Sequence, residues 1–361
     1  MSIISKKLLL WYDEHHRILP WRISPSKTGH TITPNPYHIW LSEIMLQQTT
    51  VEAVKKYYLK FIKKWPDIFA LANASEDEIL QNWAGLGYYA RARNLRACAQ
   101  QIVLQYQGNF PKDFKTLKQL RGIGDYTASA ICAIAFQQNI AVVDSNIERI
   151  IARLFAIENI LPKAKKDITE KMQKLMPEKR PGDFAQAMMD LGAGICSVKN
   201  PLCTQCPLNQ NCLAHLMHKE MDFPKKPPAK VRPKKYGQAF FLASQENTIY
   251  LEKRPQTGLL ARMTQIPNFF SENPLQKEPD FHQLKIFEKH IPENWTYCGN
   301  IEHIFTHFSL ILDIYKIENL TEDLYPTDGK TQWWAPKNSL YLEALPTLMK
   351  KALQKAMYNE N

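Results

Sequence analysis

The sequence predicts two domains of different class, an all-α domain over residues 1–222 and a mixed α+β domain over residues 237–361. Three observations carry this. Up to about residue 222 apolar residues recur at three- and four-residue steps, and beyond about residue 237 the recurrence shifts toward two. Between them lies "FPKKPPAKVRPKKY", residues 223–236, with four prolines and six basic residues and no acid. Such a stretch reads as an extended, solvated connector. At 361 residues the chain has material for two independent cores.

In the first domain the clearest helical stretch is "IWLSEIMLQQTTVEAVKKYYLKFI", residues 39–62, with apolar side chains on one continuous stripe. "SEDEILQNW", "ARARNLRACAQQIV", "FKTLKQL", "TASAICAIAF", "IERIIARLF", "ITEKMQKLM" and "FAQAMMDLGAGIC" follow, punctuated by Gly, Pro and Asn. Past the connector, "GQAFFLAS", "TIYLEKR" and "LILDIYKI" read as strands, with "QEN" as a hairpin turn joining the first two.

The formal charge of +11 points toward an acidic partner. Nucleic acid is favoured over an anionic membrane because no basic amphipathic helix stands out; a basic soluble enzyme is the plainer alternative. No apolar run approaches the ~20 residues of a membrane span, and "KKLLLW" is too short for a signal-peptide core. A cytoplasmic protein with no membrane association is expected.

Of seven cysteines, Cys98, Cys132 and Cys298 are scattered, whereas Cys196, Cys203, Cys206 and Cys212 crowd together. A disulfide framework is disfavoured in a reducing cytosol, so the group asks for a metal. Structural zinc sites more often show two Cys-x-x-Cys pairs, and only one is present. Cys-x6-Cys-x2-Cys-x5-Cys therefore favours an iron–sulfur cluster on four thiolates, with zinc as the alternative.

"LRGIGDYTASAI", residues 120–131, sets Gly122 and Gly124 between two helical runs, where a β-carbon would obstruct the tight turn. Amides following such a turn stand at a helix N-terminus and can bind a phosphate oxygen. This is helix-hairpin-helix logic, which positions a protein on DNA without reading sequence. A plain turn between packed helices is the competing explanation.

Two carboxylates meet opposite surroundings. Glu43 lies on an otherwise apolar stripe with Ile39 and Trp40, where desolvation favours the neutral acid. Asp144, in "AVVDSNIERIIARLF", precedes a helix; it, Ser145 or Asn146 would each serve as N-cap, and a carboxylate there stays ionised. One neutral acid and one anion suit cleavage of a glycosidic bond through an oxocarbenium-like state.

Together, "LSEIMLQQTTVEAV", "GLGYYARARNL", "LRGIGDYTASAI", "AVVDSNIERI", the four-cysteine spacing and the mixed C-terminal domain resemble the A/G-specific adenine DNA glycosylases, the MutY family. The resemblance runs from about Leu19 to the C-terminus and is tightest in the first domain. It implies a helix-hairpin-helix glycosylase domain (1–222) carrying one [4Fe–4S] cluster at residues 196–212, a linker (223–236), and a Nudix-like domain (237–361) that inspects 8-oxoguanine.

By the resemblance the enzyme is a monofunctional, monomeric DNA N-glycosylase, bacterial-type and nucleoid-associated. It acts on duplex DNA with adenine opposite 8-oxoguanine or guanine, after base flipping. Glu43 would protonate adenine N7, Asp144 would stabilise or trap the sugar cation, Asn146 would order the site, and Tyr126 would reach the reacting sugar. Gln48 and Tyr88 would fill or wedge the opened duplex. Trp21, Arg22 and Gln186 would line the adenine pocket, and Phe305, Thr306 and His307 would approach the lesion. The connector could also dock a repair or replication protein, although a solvated spacer is the simpler reading.

The chain departs from the family pattern in places. "SPSKTGHTITPN" is an insertion beside Trp21 and Arg22, Arg121 replaces a common proline, Ser145 a usual glycine, and Thr306 a serine. The loop after Leu260, near Met263, loses a glycine-leucine-tryptophan run, and the Nudix pyrophosphatase signature is absent, so no metal-dependent hydrolysis is expected in that domain. The nearest rival is an endonuclease III-like glycosylase/lyase, whose Schiff base needs a lysine at the position of Tyr126. A noncatalytic DNA-binding protein is the rival of another class.

Overall fold

A computed structural model describes residues 1–25, 34–228 and 231–358. The helices, in chain order, are α1 (Ile3–His15), α2 (Pro36–Leu46), α3 (Val51–Lys64), α4 (Ile68–Asn73), α5 (Glu76–Trp83), α6 (Ala90–Tyr106), α7 (Phe114–Gln119), α8 (Asp125–Ile134), α9 (Ser145–Leu154), α10 (Lys165–Leu175), α11 (Pro181–Gly194), α12 (Leu213–Leu216) and α13 (Thr347–Met357). None of them is long and apolar enough to cross a membrane. The inserted stretch falls largely outside the described residues, as do Ala229 and Lys230 of the connector.

The chain forms two compact units, and their division does not follow the connector alone. Residues 1–74 and 94–229 make the first, while residues 75–93 belong with 230–361 in the second. Polar contacts explain the membership of 75–93. Lys253 Nζ pairs with Asp77 at 2.7 Å, Arg262 with Glu76 at 3.2 Å, and Arg93 donates to the Ala261 carbonyl at 2.8 Å.

The first unit is all-helical. Its core takes one stripe from each amphipathic helix: Leu8 and Tyr12 of α1, Val54, Tyr58 and Phe61 of α3, Ile147, Ile150, Ile151 and Leu154 of α9. Each aliphatic or phenylalanine side chain among them, fully buried, contributes roughly 1.5–3 kcal/mol of transfer free energy. The stretch expected as one helix over 39–62 is two. Gln47 caps α2, Gln48 turns left-handed at φ +55°, and the Thr50 side chain accepts from Ala53 N–H to start α3. Apolar spacing carried across the break hid it, and a capping threonine decided the local outcome.

In the second unit the strands are β1 (Lys234–Ser244), β2 (Thr248–Lys253), β3 (Thr264–Gln265), β4 (Asn268–Ser271), β5 (Thr296–Ile304), β6 (Ser309–Leu320) and β7 (Gln332–Pro336). The order is β3-β2-β1-β6-β5, with β4 also on β1 and β7 on β2. β1 and β6 run parallel; the other pairs are antiparallel, so the sheet is mixed. Side chains of β1 alternate between faces, as strand geometry requires. Ala239 and Phe241 meet Leu348, Met349 and Ala352 of α13, while Phe240 and Leu242 join Tyr250, Tyr315 and Phe287 opposite. β1 opens at Lys234, three residues before the expected strand, because its pairing with β6 starts there, opposite Ser309.

Candidate functional site

The turn between α7 and α8 makes one wall of the candidate site. Gly122 takes φ +77°, and a β-carbon there would come 2.9 Å from Asn94 Cβ, so both conformation and space require glycine. Gly124 is the N-cap of α8 and no side chain caps it. Capping amides are therefore left to another partner.

Beside Gly124 opens a pocket of about 540 Å³, lined from α2, the Gln47–Thr49 turn, α8, the start of α9 and α11. This is within the usual size of small-ligand pockets. Glu43, Gln48, Tyr126, Asp144, Asn146, Trp21, Arg22 and Gln186 all line it. Residues predicted from five separate stretches of sequence thus meet in one place. Gly122 stands behind, in the hairpin.

Glu43 is 5% exposed on the inner face of α2. Burial pushes its carboxyl from about 4.5 up to about 7, against the opposing pull of a Tyr126 hydrogen bond and the Arg22 charge. Tyr126 Oη donates to Glu43 Oε2 at 2.6 Å. Burial, with Glu43 and Asp144 nearby, holds the phenol well above its ordinary value, so it stays a donor.

Asp144 is the N-cap of α9, its Oδ1 accepting from Ile147 N–H at 2.7 Å. Its carboxyl is also raised, since burial outweighs the amides of Ile147 and Asn146 and the Arg149 charge. The expectation that a helix terminus governs this group is therefore modified. The larger shift nonetheless falls on Glu43, which separates the two acids in the sense the chemistry needs.

Asn146 Nδ2 lies 3.4 Å from Asp144 Oδ2, and Arg149 donates to Asn146 Oδ1 at 2.9 Å, to Gly192 O and to Cys196 O, both at 2.7 Å. Behind the pocket, Asp190 is 3% exposed and takes Arg22 Nη1 on both oxygens (2.8 and 2.7 Å) and Arg17 Nε at 2.6 Å. Sequence reasoning missed Asp190, Arg17 and Arg149. For Asp190 a signal existed, because it stands one helical turn after Gln186 on the same face of α11.

In the second unit Phe305, Thr306 and His307 occupy the turn joining β5 to β6. His307 is exposed, and Phe305 meets His303 edge-on and Phe308 at a tilt, each at 4.7 Å between ring centres. Tyr88, left-handed at φ +49° and 45% exposed, lies in the same unit, its hydroxyl 3.2 Å from Thr306 Oγ1.

Cys196, Cys203, Cys206 and Cys212 line a single cavity with Arg153, His215 and Glu220, and none is in a disulfide. Burial and the mutual repulsion of the sulfurs push Cys206 up to about 12; burial, then Glu220 and the other sulfurs, push Cys203 up to about 11. Four thiolates can share this cavity only around strong positive charge, which fits a metal centre. Arg153 supplies a single charge, 3.4 Å from Cys196 Sγ.

Comparisons with known proteins bear on the family and the fold. Residues 41–178 match the family model of the HhH-GPD superfamily base excision DNA repair protein, and residues 238–355 match that of the NUDIX domain. The chain is 31% identical to a human adenine DNA glycosylase over 96% of its length and 72% of that protein. It is 34% identical to the adenine DNA glycosylase of Buchnera aphidicola subsp. Acyrthosiphon pisum, over 98% of this chain and 97% of the other. A solved thermostable thymine-DNA glycosylase superposes with a TM-score of 0.53 at 31% identity, covering 60% of this chain and 96% of that one. With a helical glycosylase domain, a Nudix-like mixed sheet and relatives matched across nearly the whole chain, this protein belongs to the adenine DNA glycosylase family.

Proposed function

We propose that this protein excises adenine paired with 8-oxoguanine or guanine in duplex DNA, by hydrolysis and without cutting the strand. The observation that carries the reading is the pairing of a carboxyl poised near pH 7, Glu43, with a second acid at a helix N-terminus, Asp144, in one pocket.

The target base is unreachable inside the stack, so the nucleotide must be extruded into this pocket. Glu43 gives its proton to the adenine ring at N7, turning a poor leaving group into a good one. Asp144, as the anion, stabilises the cationic sugar electrostatically or as a covalent adduct, and water completes hydrolysis. Asn146 and the Ile147 amide keep its oxygens in place. No lysine is among the described residues lining the pocket, and the Tyr126 phenol cannot form an imine. Both points support a monofunctional enzyme over a lyase.

Gly122 and Gly124 hold the phosphate backbone, Gln48 fills the gap in the duplex, and Tyr88 with Phe305, Thr306 and His307 meets the opposite base. The four cysteines fit one [4Fe–4S] cluster, which when bound supplies the positive charge that keeps their sulfurs ionised and ties the 196–212 loop into a rigid unit.

A single-turnover assay on an adenine:8-oxoguanine duplex tests the reading. Adenine is released and leaves an abasic site that breaks only on separate alkali treatment. No release rejects the function, and an adduct trapped by borohydride rejects the monofunctional assignment.

A further inference from the structure

Cys203, His215 and Glu220 come from three separate short segments: the turn Cys203–Gln205, α12, and the turn Glu220–Asp222. Their ligand atoms nevertheless lie within 4.8 Å of one another, and all three side chains line the cavity that holds the other cysteines. Three donors of types that bind metals, one sulfur, one nitrogen and one oxygen, thus meet at one corner of the metal centre.

Glu220 ties the three together, its carboxylate hydrogen-bonded to both His215 and Cys203. His215 Nδ1 lies 2.6 Å from Glu220 Oε1, and the pair is only partly exposed, at 30% and 19%. A carboxylate at that distance accepts from Nδ1–H, which fixes the tautomer and leaves the lone pair on Nε2. Metal-binding histidines are oriented in this way. Nothing in the excision chemistry uses His215 or Glu220, and four thiolates already satisfy a cluster.

We propose that His215, oriented by Glu220, is a reserve ligand at the Cys203 corner of the metal centre. If the Cys203 sulfur leaves iron with its electron pair and takes a proton from water, the Nε2 lone pair makes the replacement bond. The exchange is redox-neutral and needs no oxidant. The inference rests on the iron–sulfur reading of the four cysteines.

The test uses the full chain purified without oxygen, as parent, Cys203→Ala, Cys206→Ala and Cys203→Ala/His215→Ala. Iron and acid-labile sulfide are counted per chain, and the reduced centre is examined for nitrogen hyperfine coupling. Cys203→Ala is expected to keep most of its iron and to gain a nitrogen coupling that the parent lacks. Adding His215→Ala should remove the coupling and lower iron roughly tenfold or more, and Cys206→Ala, with no such neighbour, should lose iron as the double variant does.

Equal iron in Cys203→Ala and the double variant overturns the proposal, as does equal loss in Cys203→Ala and Cys206→Ala. A parent without iron overturns the cluster reading itself, and the proposal with it. Should Cys203→Ala not fold, His215→Ala in the otherwise intact chain carries the test. Iron loss to a chelator after mild oxidation should then be about tenfold faster than in the parent; an unchanged rate overturns the inference.

Discussion

The hydrogen bond from Tyr126 commits Glu43 Oε2 to accepting, so the proton of the neutral acid sits on Oε1. Glu43→Gln keeps the shape and the phenol contact but cannot transfer a proton. Single-turnover excision should fall about 10²–10⁴-fold while binding to the lesion duplex persists. The pH profile follows from the upward shift of Glu43 to about 7. The excision rate should decline as pH rises through about 7, and it should also decline on the acid side as Asp144 takes up a proton. Stability follows the same group. Between the ordinary carboxyl value and about 7 the folded chain keeps a proton that the unfolded chain has released. The Glu43 contribution therefore diminishes as pH rises across that window, and in Glu43→Gln this part of the pH dependence of Tm should vanish.

Among the elements, the α7–α8 hairpin gives the sharpest expectation. Gly122→Ala forces a side chain into a left-handed position already closed by Asn94, so thermal or urea unfolding should show a loss of more than about 1 kcal/mol. DNA affinity should weaken with it. The hairpin was legible in sequence because two glycines one residue apart have few other uses between helical runs. Glu43 stood out as a carboxylate on an apolar stripe, Asp144 read equally well as an ordinary N-cap, and both took their expected roles from the family resemblance. The break at Gln48 was not legible, since periodicity continues through it and only the cap of Thr50 marks it. The ion pair of Asp190 and the reach of Arg149 were not legible either, although the place of Asp190 one turn after Gln186 did mark its face of α11. Their partners stand 168 residues (Arg22) and 47 residues (Cys196) away, and no local pattern encodes such pairings. Strand β7 is only five residues long, too short to set a period alone, whereas α13 carries a regular helical stripe (Leu348, Met349, Ala352, Leu353, Ala356) that the sequence reading passed over.

For the molecule as a whole, the assignment of residues 75–93 to the second unit changes what a truncation means. Removing residues 230–361 strips Asp77, Glu76, Arg93 and Tyr88 of their partners Lys253, Arg262, Ala261 and Thr306. The shortened chain should lose discrimination of 8-oxoguanine from guanine and should also melt several degrees lower by calorimetry. An unchanged Tm would show that 75–93 is held by the first unit instead. The charge of +11 sets a second expectation at this scale. The logarithm of the affinity for undamaged duplex should fall linearly with log salt, with a slope of about 0.9 for each phosphate neutralised, and the excision chemistry measured at saturation should not change.

Helix α9 is a spacer of fixed gauge. Asp144 stands at its entry, Arg149 reaches both Asn146 and the Cys196 carbonyl, and Arg153 meets the Cys196 sulfur near its exit. From first to last is about 13 Å along the axis, a length set by residue count alone. One alanine inserted after Ile147 would turn everything downstream by about 100° and advance it by about 1.5 Å. The helix would survive by circular dichroism, yet Asn146 and Cys196 would each lose the arginine that reaches it. The number of residues between Asp144 and Arg153 is therefore under as tight a constraint as their identities.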